Sequence, residues 1–233
     1  MKKIKTEVNI QKFPKEIRKL MENATVYDSS CHSGAKVYYI DSGYYLKIDE
    51  AHRLSDETRL NKLFHARGLG VEVVNYVTTD RDYLVTRNAG GEDLIHCLND
   101  PEKVCEILAE SLRLLHSQPI DNVSVSIRHQ NYMKLADQNH DADFSREILT
   151  PDTLIHGDAC LPNIIQNNGR FHTFIDLGMA GAGDRHIDLY WAAWSLQYNF
   201  ETDKYTDLFL DMYGREKISE ERMRMIAACE QFR

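Results

Sequence analysis

The sequence lacks the features of a membrane protein, a secreted protein and a disulfide scaffold. None of its apolar stretches approaches the ~20 residues needed to cross a bilayer. The basic N-terminal segment 1–10 has only scattered apolar residues, so it lacks the hydrophobic region of a signal peptide. The cysteines are odd in number and form no Cys-x-x-Cys pair, which argues against a disulfide framework and a thiolate zinc site. We therefore expect a cytoplasmic protein with reduced thiols and no membrane partner.

Basic charge is also scarce. The 28 Lys and Arg residues are outnumbered by 36 Asp and Glu, so the net charge is −8. No basic field opposes the phosphates of nucleic acid, and we expect no nucleic-acid partner. The same acidic balance suits a cationic ligand. With 42% hydrophobic and 27% charged residues in 233, the chain can form two globular lobes with a core each.

The first half of the chain combines short β-prone runs with one helix. An Asp-Ser-Gly turn separates Lys36–Ile40 from Tyr44–Ile48, which predicts a hairpin. Apolar residues at helical spacing predict a helix over Leu54–Arg67, before two glycines. Val71–Val77 and Tyr83–Thr86 are two further predicted strands. This half therefore predicts a small antiparallel sheet.

Helical periodicity takes over after the glycine-bearing linker 88–91. It predicts one helix from Pro101 to His116, one or two short helices within 118–150, and three more near the end. A small hairpin is predicted where apolar runs flank an Asn-Asn-Gly turn. The last three helices are predicted at Ile187–Gln197, Lys204–Tyr213 and from Ser219 onward, and the hairpin at Leu154–Ile165 and Phe171–Ile175. We predict two domains, residues 1–87 rich in strands and residues 88–233 rich in helices.

The strongest chemical signal is the segment HGDACLPN at residues 156–163. Asp158 and Asn163 are five residues apart, and Asp176 follows in FIDLG after the predicted hairpin. Phosphoryl transfer needs one carboxylate to orient the attacking hydroxyl and accept its proton, and a second carboxylate and an amide oxygen to hold Mg²⁺. The spacing matches the catalytic and metal loops of kinases. We predict Asp158 as the catalytic base, Asn163 and Asp176 as Mg²⁺ ligands, and His156 as a structural residue.

Each member of this set has an ordinary structural explanation when taken alone. Taken alone, HGD is typical of a turn, Asn163 of a helix cap, and Asp176 of a carboxylate at the end of a strand. Their order and spacing together favour the chemical interpretation.

A kinase also needs a cation on the ATP phosphates, held by a helix glutamate. Lys47 is a lone charge inside an apolar strand, and Glu57 lies early in the next predicted helix. The alternative is a surface lysine on an edge strand. Because the downstream residues complete a kinase set, we predict that Lys47 binds phosphate and Glu57 orients it.

Two further segments are candidates for nucleotide contacts. The segment SSCHSGAK, which contains Ser30 and Ser33, can fold over phosphates through backbone N–H groups and hydroxyls, although it is neither a Walker A motif nor GxGxxG. Adenine is expected against the linker that begins at Arg87, chiefly at Ala89.

These motifs, in colinear order over most of the chain, resemble the aminoglycoside 3′-phosphotransferases, the kanamycin and neomycin kinases. HGDACLPN, FIDLG and GDRHIDL carry the resemblance, with YLKID, GGEDL and LRLLH upstream. It implies an α+β, bilobal protein-kinase-like fold: a small N-terminal antiparallel β-sheet lobe with one helix and a larger, mainly helical C-terminal lobe. It also implies phosphorylation of an antibiotic hydroxyl, hence antibiotic resistance, with ATP or alternatively GTP as donor and Mg²⁺ as cofactor. Asp188 would support the catalytic loop, and Gly178 would permit the turn after Asp176.

The acceptor region departs from the family pattern. Family members carry arginine at the position of Met179, and arginine and acidic residues where Trp191, Trp194, Gln197 and Tyr198 stand here. The segment between His116 and His156 is shorter than in the family. The resemblance implies that the acceptor contacts Asp158, Asp141, Asp143, Glu230 and Phe232.

Three functions remain open from the sequence. The first is an aminoglycoside kinase, and the second is a kinase of another small sugar or amino alcohol. The third is a catalytically silent nucleotide-binding module, against which the complete set of catalytic residues argues. The Trp191 and Trp194 side chains are either core residues or a stacking face for the acceptor. We expect a monomer or weak dimer.

Overall fold

The β-prone runs of the first half pair into one antiparallel sheet. The computed structural model of the chain describes residues 3–30, 34–138 and 149–231, and it divides into two units, Met1–Gly90 and Gly91–Arg233. The elements of the first unit are β1 (Ile4–Lys5), α1 (Lys15–Met21), β2 (Val26–Asp28), β3 (Lys36–Ile40), β4 (Tyr44–Glu50), α2 (Ser55–Ala66), β5 (Val73–Thr78) and β6 (Arg81–Arg87). Its described strands follow the order β1-β2-β3-β4-β6-β5, and all neighbours are antiparallel.

Strand β4 sets the face on which Lys47 lies. Leu46 and Ile48 are buried in the core of the unit, and Lys47 stands between them in sequence, opposite Val37 and Leu84 on the neighbouring strands. Because side chains alternate along a strand, Lys47 points to the other face of the sheet. The hairpin therefore places the Lys47 side chain on the face of the sheet opposite the apolar core.

The sequence predicts one helix in this unit, and the structure has a second. The seven-residue α1 buries Ile17 and Met21 in the same core as Leu46. Isolated helices of this length are marginal in water, so α1 depends on packing that local sequence does not record. Helix α2 follows its prediction within one residue at each end and buries Glu57, Leu60 and Phe64 on one face.

The second unit is mainly helical. Its elements are β7 (Glu92–Asp93), α3 (Pro101–His116), α4 (Ile127–Gln138), β8 (Thr153–Ile155), β9 (Ile164–Asn167), β10 (Arg170–Phe174), β11 (Gly181–Gly183), α5 (Arg185–Phe200), α6 (Lys204–Tyr213) and α7 (Glu220–Gln231). The β9–β10 hairpin adds β7 at its edge, and β8 pairs with β11. The predicted run Leu154–Ile165 is therefore two strands, separated by the loop that carries the catalytic motif.

Helix α3 shows why the C-terminal helices form where the periodicity predicts them. The Asp100 side chain accepts a hydrogen bond from the Lys103 backbone N–H and caps the helix, and Pro101 occupies its first turn. Val104, Leu108 and Leu112 are fully buried along one face. Burying each such side chain stabilises the fold by roughly 1.5–3 kcal/mol. Across the described ranges, no helix combines the length and apolarity needed to cross a membrane.

Candidate active site

The HGDACLPN motif begins at a buried histidine. His156 is fully buried, and its Nε2 hydrogen-bonds the carbonyl oxygen of Ile175 at 2.9 Å. The backbone N–H of Asp158 donates to Nδ1 of the same ring at 3.3 Å. A ring nitrogen that accepts carries no proton, so Nε2 is the donor to Ile175. His156 therefore ties the catalytic loop to the segment before Asp176, in agreement with the structural role predicted for it.

Asp188 fixes the backbone of the same loop. Its Oδ2 accepts from the backbone N–H of His156 at 2.8 Å, and its Oδ1 accepts from that of Gly157 at 2.7 Å. His116 Nε2 lies 3.1 Å from Oδ2, and His116 Nδ1 contacts the Tyr213 hydroxyl at 2.8 Å. A buried carboxylate is stable only when hydrogen bonds replace its hydration, and these contacts do so. The resemblance implies this supporting place for Asp188.

Gly157 lies where the catalytic loop passes closest to the segment after Asp176. Its φ is +79°, and a Cβ at this position would lie 2.1 Å from the Met179 carbonyl oxygen. Only glycine accommodates both the left-handed backbone and the close approach. The Gly in HGD is therefore a packing requirement.

Asp158 and Asn163 contact each other within the loop. Asn163 Nδ2 donates to the Asp158 carbonyl oxygen at 2.9 Å and to Asp158 Oδ2 at 3.2 Å. The Asp158 side chain is 31% exposed, whereas Asn163 is buried. Because Asn163 uses its nitrogen toward Asp158, its amide oxygen is the atom suited to a cation.

The segment carrying Asp176 is bonded to Asn163. The backbone N–H of Ile175 donates to the Asn163 carbonyl oxygen at 3.0 Å. Asp176 follows directly with φ +58°, in the left-handed region, and begins the turn Leu177–Met179. Such a conformation costs on the order of 1 kcal/mol outside glycine, and residues held in it cluster at functional sites. One backbone network therefore joins the segments that carry the three residues predicted for catalysis and metal binding.

In the first unit, Lys47 and Glu57 form the predicted pair. Lys47 Nζ lies 3.0 Å from Glu57 Oε1 and 2.8 Å from Oε2. The lysine side chain is 21% exposed and the glutamate 8%. Glu57 lies in the first turn of α2, where the helix dipole favours a carboxylate. The ammonium is therefore held in one place and still reaches solvent.

The described residues on either side of 31–33 make side-chain contacts with one another. Ser30 Oγ accepts from the Val37 backbone N–H at 3.0 Å, and Lys36 pairs with Asp28. The hydrogen bond from Lys36 lowers the pKa of Asp28 to about 2. Ser33 lies outside the described residues.

The linker residues give less information. Arg87 Nε donates to Glu72 at 2.7 Å on the surface, and its guanidinium lies 5.5 Å from the Tyr44 ring. Ala89 lies in the linker between β6 and β7, and its contact with adenine stays a prediction.

Of the predicted acceptor contacts outside the catalytic loop, only Glu230 is described. The Tyr132 hydroxyl donates to Glu230 Oε1 at 2.6 Å, and Trp191 Nε1 donates to the Tyr132 oxygen at 3.0 Å. Burial raises the pKa of Tyr132, so its hydroxyl stays protonated as a donor. Glu230 is thus anchored to the interior by a tyrosine. Asp141, Asp143 and Phe232 lie outside the described residues.

Two side chains beside Asp158 were not predicted from the sequence. Arg128 Nη2 lies 3.8 Å from Asp158 Oδ1, and Cys160 Sγ lies 3.5 Å from the same oxygen. Burial raises the pKa of the Cys160 thiol, so it approaches Asp158 as a neutral S–H donor. Cys160 stands within the motif itself. Arg128 is thirty residues upstream, in a segment whose periodicity is weak, so no local pattern indicates it.

The comparisons with known proteins agree on the family. Residues 28–226 match the phosphotransferase enzyme family. The chain is 37% identical to a protein of Lactococcus lactis subsp. lactis named a probable aminoglycoside 3′-phosphotransferase, over 97% of this chain and 97% of the relative. It is 30% identical to the aminoglycoside 3′-phosphotransferase of Niallia circulans, over 65% of this chain and 67% of the relative.

Solved structures show the same fold. An aminoglycoside phosphotransferase from Streptomyces rimosus superposes with a TM-score of 0.71 at 20% identity, over 86% of this chain and 90% of its own. A type VIII aminoglycoside 3′-phosphotransferase gives a TM-score of 0.68 at 20% identity, over 88% and 91%. These likenesses confirm the predicted α+β, protein-kinase-like fold class. The chain belongs to the phosphotransferase enzyme family and is an enzyme similar to the aminoglycoside 3′-phosphotransferases.

Proposed function

We propose that this phosphotransferase is an ATP- and Mg²⁺-dependent kinase that phosphorylates a hydroxyl of an aminoglycoside and so inactivates the antibiotic. The observation that carries the proposal is the loop in which Asp158, still partly exposed, is fixed by Asn163 while Asp188 holds the backbone beneath it. Asp158 is the catalytic base. Lys47 binds the ATP phosphates and is oriented by Glu57, and Asn163 and Asp176 hold the metal. Residues 1–87 contribute the nucleotide-binding groups, and residues 88–233 carry the catalytic and metal loops.

The Asp158 carboxylate orients the acceptor hydroxyl and takes its proton. The hydroxyl oxygen forms a bond to the γ-phosphorus as the bond from that phosphorus to the β,γ-bridging oxygen breaks, and ADP leaves. Asn163 limits rotation of the carboxylate, so that an oxygen of Asp158 stays directed at the acceptor. Proton transfer to a positioned side chain contributes on the order of 10²–10⁴ in rate.

The donor atoms near the loop fit Mg²⁺. This ion prefers a few hard oxygen ligands together with phosphate oxygens, and the Asn163 amide oxygen and Asp176 carboxylate are of that type. When bound, the ion would neutralise charge on the triphosphate. Lys47 would add a second positive charge, held by Glu57. Ser30, Ser33, Arg87 and Ala89 stay proposed nucleotide contacts.

The relatives and the charge of the chain support a cationic acceptor. Curated relatives are named aminoglycoside 3′-phosphotransferases, and one solved neighbour is a complex with ADP and streptomycin and another with GDP and kanamycin. The net charge of −8 and the anchored Glu230 suit a polyamine. Asp141, Asp143 and Phe232 stay proposed contacts. We propose ATP as the donor, with GTP as the alternative, in a cytoplasmic monomer or weak dimer.

A second candidate is a kinase of another small sugar or amino alcohol. Aromatic side chains favour it: Trp194 is 42% and Tyr198 69% exposed, and their rings stack at 5.1 Å and 14°. An exposed stacked pair suits the face of a sugar or an onium group, whereas Trp191 is tied to Tyr132 inside the unit. The third candidate, a silent nucleotide-binding module, is disfavoured because the Lys47–Glu57 pair and the Asp158 loop are intact.

The test measures ADP release with a coupled assay, using kanamycin, neomycin, choline and simple sugars as acceptors. Acceptor-dependent turnover with kanamycin or neomycin supports the proposal. Turnover with choline or sugars alone supports the second candidate. ATP binding without turnover on any acceptor supports the silent module and contradicts the proposed chemistry.

A further inference from the structure

Arg128 lies beside the catalytic loop although it is distant from it in sequence. It is the second residue of α4, and its side chain is only 7% exposed. Its Nε donates to the Gly157 carbonyl oxygen at 2.9 Å, and its Nη2 lies 3.8 Å from Asp158 Oδ1. The guanidinium thus contacts both the backbone and the carboxylate of the HGD motif.

The surroundings hold this guanidinium in one position. The Ser126 hydroxyl accepts from the Arg128 backbone N–H at 3.1 Å and donates to the Met179 carbonyl oxygen at 2.7 Å. The start of α4 is therefore fastened to the segment that follows Asp176. Arg128 Cζ lies 4.8 Å from the centroid of the Trp191 ring, a cation–π contact. The start of α4, the Gly157 carbonyl oxygen and the Trp191 ring therefore hold the Arg128 side chain in one position.

These contacts are a poor arrangement for stability. A guanidinium that stabilises a fold through a carboxylate does so with paired hydrogen bonds of about 2.7–2.9 Å. Here the distance from Arg128 Nη2 to Asp158 Oδ1 is 3.8 Å. In addition, Arg128 Nη1 is buried and makes no hydrogen bond to any residue in 3–30, 34–138 or 149–231. The ion pair with Asp158 therefore contributes little to stability, and the contact through which Arg128 chiefly stabilises the loop is its hydrogen bond to the Gly157 carbonyl oxygen.

We propose that Arg128 is a positioning residue for Asp158. The inference rests on the proposed function, because it assigns Arg128 a part in that reaction. The two carboxylate oxygens of Asp158 have different neighbours: Oδ1 has Arg128 and Cys160, and Oδ2 has Asn163. Arg128 holds one side of the carboxylate while Asn163 holds the other, so the carboxylate meets the acceptor hydroxyl in one orientation.

The test compares Arg128→Met with the matched control Lys134→Met, which removes an exposed cation from the same helix. Displacing a catalytic group by about 1 Å can cost on the order of 100-fold in rate. We expect Arg128→Met to lower kcat per folded molecule about 100-fold and to change the KM for ATP less than about 3-fold. Because the variant also removes the hydrogen bond to the Gly157 carbonyl oxygen, its unfolding temperature should fall, and kcat is therefore referred to the folded fraction. Lys134→Met should keep wild-type kcat. A lower unfolding temperature with unchanged kcat per folded molecule indicates a structural role and overturns the proposal.

A double-mutant cycle shows whether Arg128 acts through Asp158. In the Asp158→Asn background, Arg128→Met should cause no further loss, whereas a full additional loss overturns the proposal. Arg128→Lys keeps the charge, and its kcat should lie between those of the wild type and Arg128→Met. If Arg128→Met does not fold, Arg128→Lys is the variant that decides. If an Arg128 variant keeps the wild-type kcat while Asp158→Asn loses most of it, the role of Arg128 is overturned and the proposed function is not. Absence of turnover by the wild type on every acceptor overturns the proposed function as well.

Discussion

The side chain of Asp188 holds the backbone that carries the proposed base. It accepts two backbone N–H groups, from His156 and Gly157, in a fully buried position. A buried donor that loses its acceptor costs about 1–3 kcal/mol. Asp188 thus links the stability of the second unit to the geometry of Asp158.

Asp188→Ala should lower the free energy of unfolding by about 3 kcal/mol, because the backbone N–H groups of His156 and Gly157 both lose their acceptor. Chemical denaturation of the two proteins measures the difference. The control is Asp207→Ala, which removes an exposed aspartate paired with Arg215 and should cost less than about 1 kcal/mol. Equal losses in the two variants would show that the Asp188 contacts do not support the loop.

Lys47 is the residue through which nucleotide binding is most directly tested. Lys47→Met leaves Glu57 without its ammonium and removes the proposed phosphate contact. A ligand at 100 times its Kd stabilises a protein by about 2.7 kcal/mol, so Mg²⁺–ATP should raise the unfolding temperature of the wild type. We expect that rise to be lost in Lys47→Met and kept in Lys62→Met, which removes an exposed lysine of α2. An undiminished rise in Lys47→Met contradicts the phosphate role.

At the residue scale, the sequence predicts Asp158, Asn163 and Asp176 because kinase chemistry requires this spacing within one stretch of chain. It does not indicate that Arg128 lies beside Asp158. Arg128 reaches Asp158 only because Ser126 fastens the start of α4 beside the loop. That contact depends on tertiary structure, which spacing along the chain does not encode.

At the scale of elements, helix α5 begins at a buried carboxylate. Asp184 caps this helix by accepting the His186 backbone N–H, and it also accepts from the Thr150 backbone N–H and from Arg222 of α7. The Ser219 backbone N–H donates to His186 Nε2, so His186 Nδ1 is the donor to Asp184 at 2.6 Å. Burial alone would raise the pKa of Asp184, but the hydrogen bonds from His186 and Thr150 lower it to about 2.

This cap predicts an acid limit to stability. The folded pKa of Asp184 lies below its ordinary value of 3.8, so the ionised cap stabilises the fold above that pH and the contribution is lost between about pH 4 and 2. The shift corresponds to about 2 kcal/mol. Denaturant unfolding of wild type and Asp184→Asn should therefore differ by about this amount at pH 7 and converge near pH 2. A difference that is unchanged at pH 2 contradicts the assignment.

Elements with a strong periodic signal were predicted closely, and short ones were not. The range Lys204–Tyr213 matches α6 at both ends, and α3 begins and ends where its cap and apolar face predict. By contrast, α1 and β11 are short and exist through their partners: the core of the first unit for α1, and β8 for β11. Only the folded chain brings those partners together.

At the scale of the whole molecule, each unit carries a different part of the proposed chemistry. The first holds a partly buried ammonium on a strand, and the second holds a base, an amide and a carboxylate on two linked loops. The fold class and the family follow from motif order along most of the chain. The acceptor does not, because Asp141, Asp143 and Phe232, three of its predicted contacts, lie outside the described residues.

In the proposed reaction, Asp158 takes the proton of an acceptor hydroxyl during phosphoryl transfer from ATP. Mass spectrometry of kanamycin incubated with the protein, Mg²⁺ and ATP shows whether it does. We predict that the wild type adds one phosphoryl group, and that Asp158→Asn does so at least about 100-fold more slowly while still binding ATP. Phosphorylation by Asp158→Asn at the wild-type rate would contradict the account.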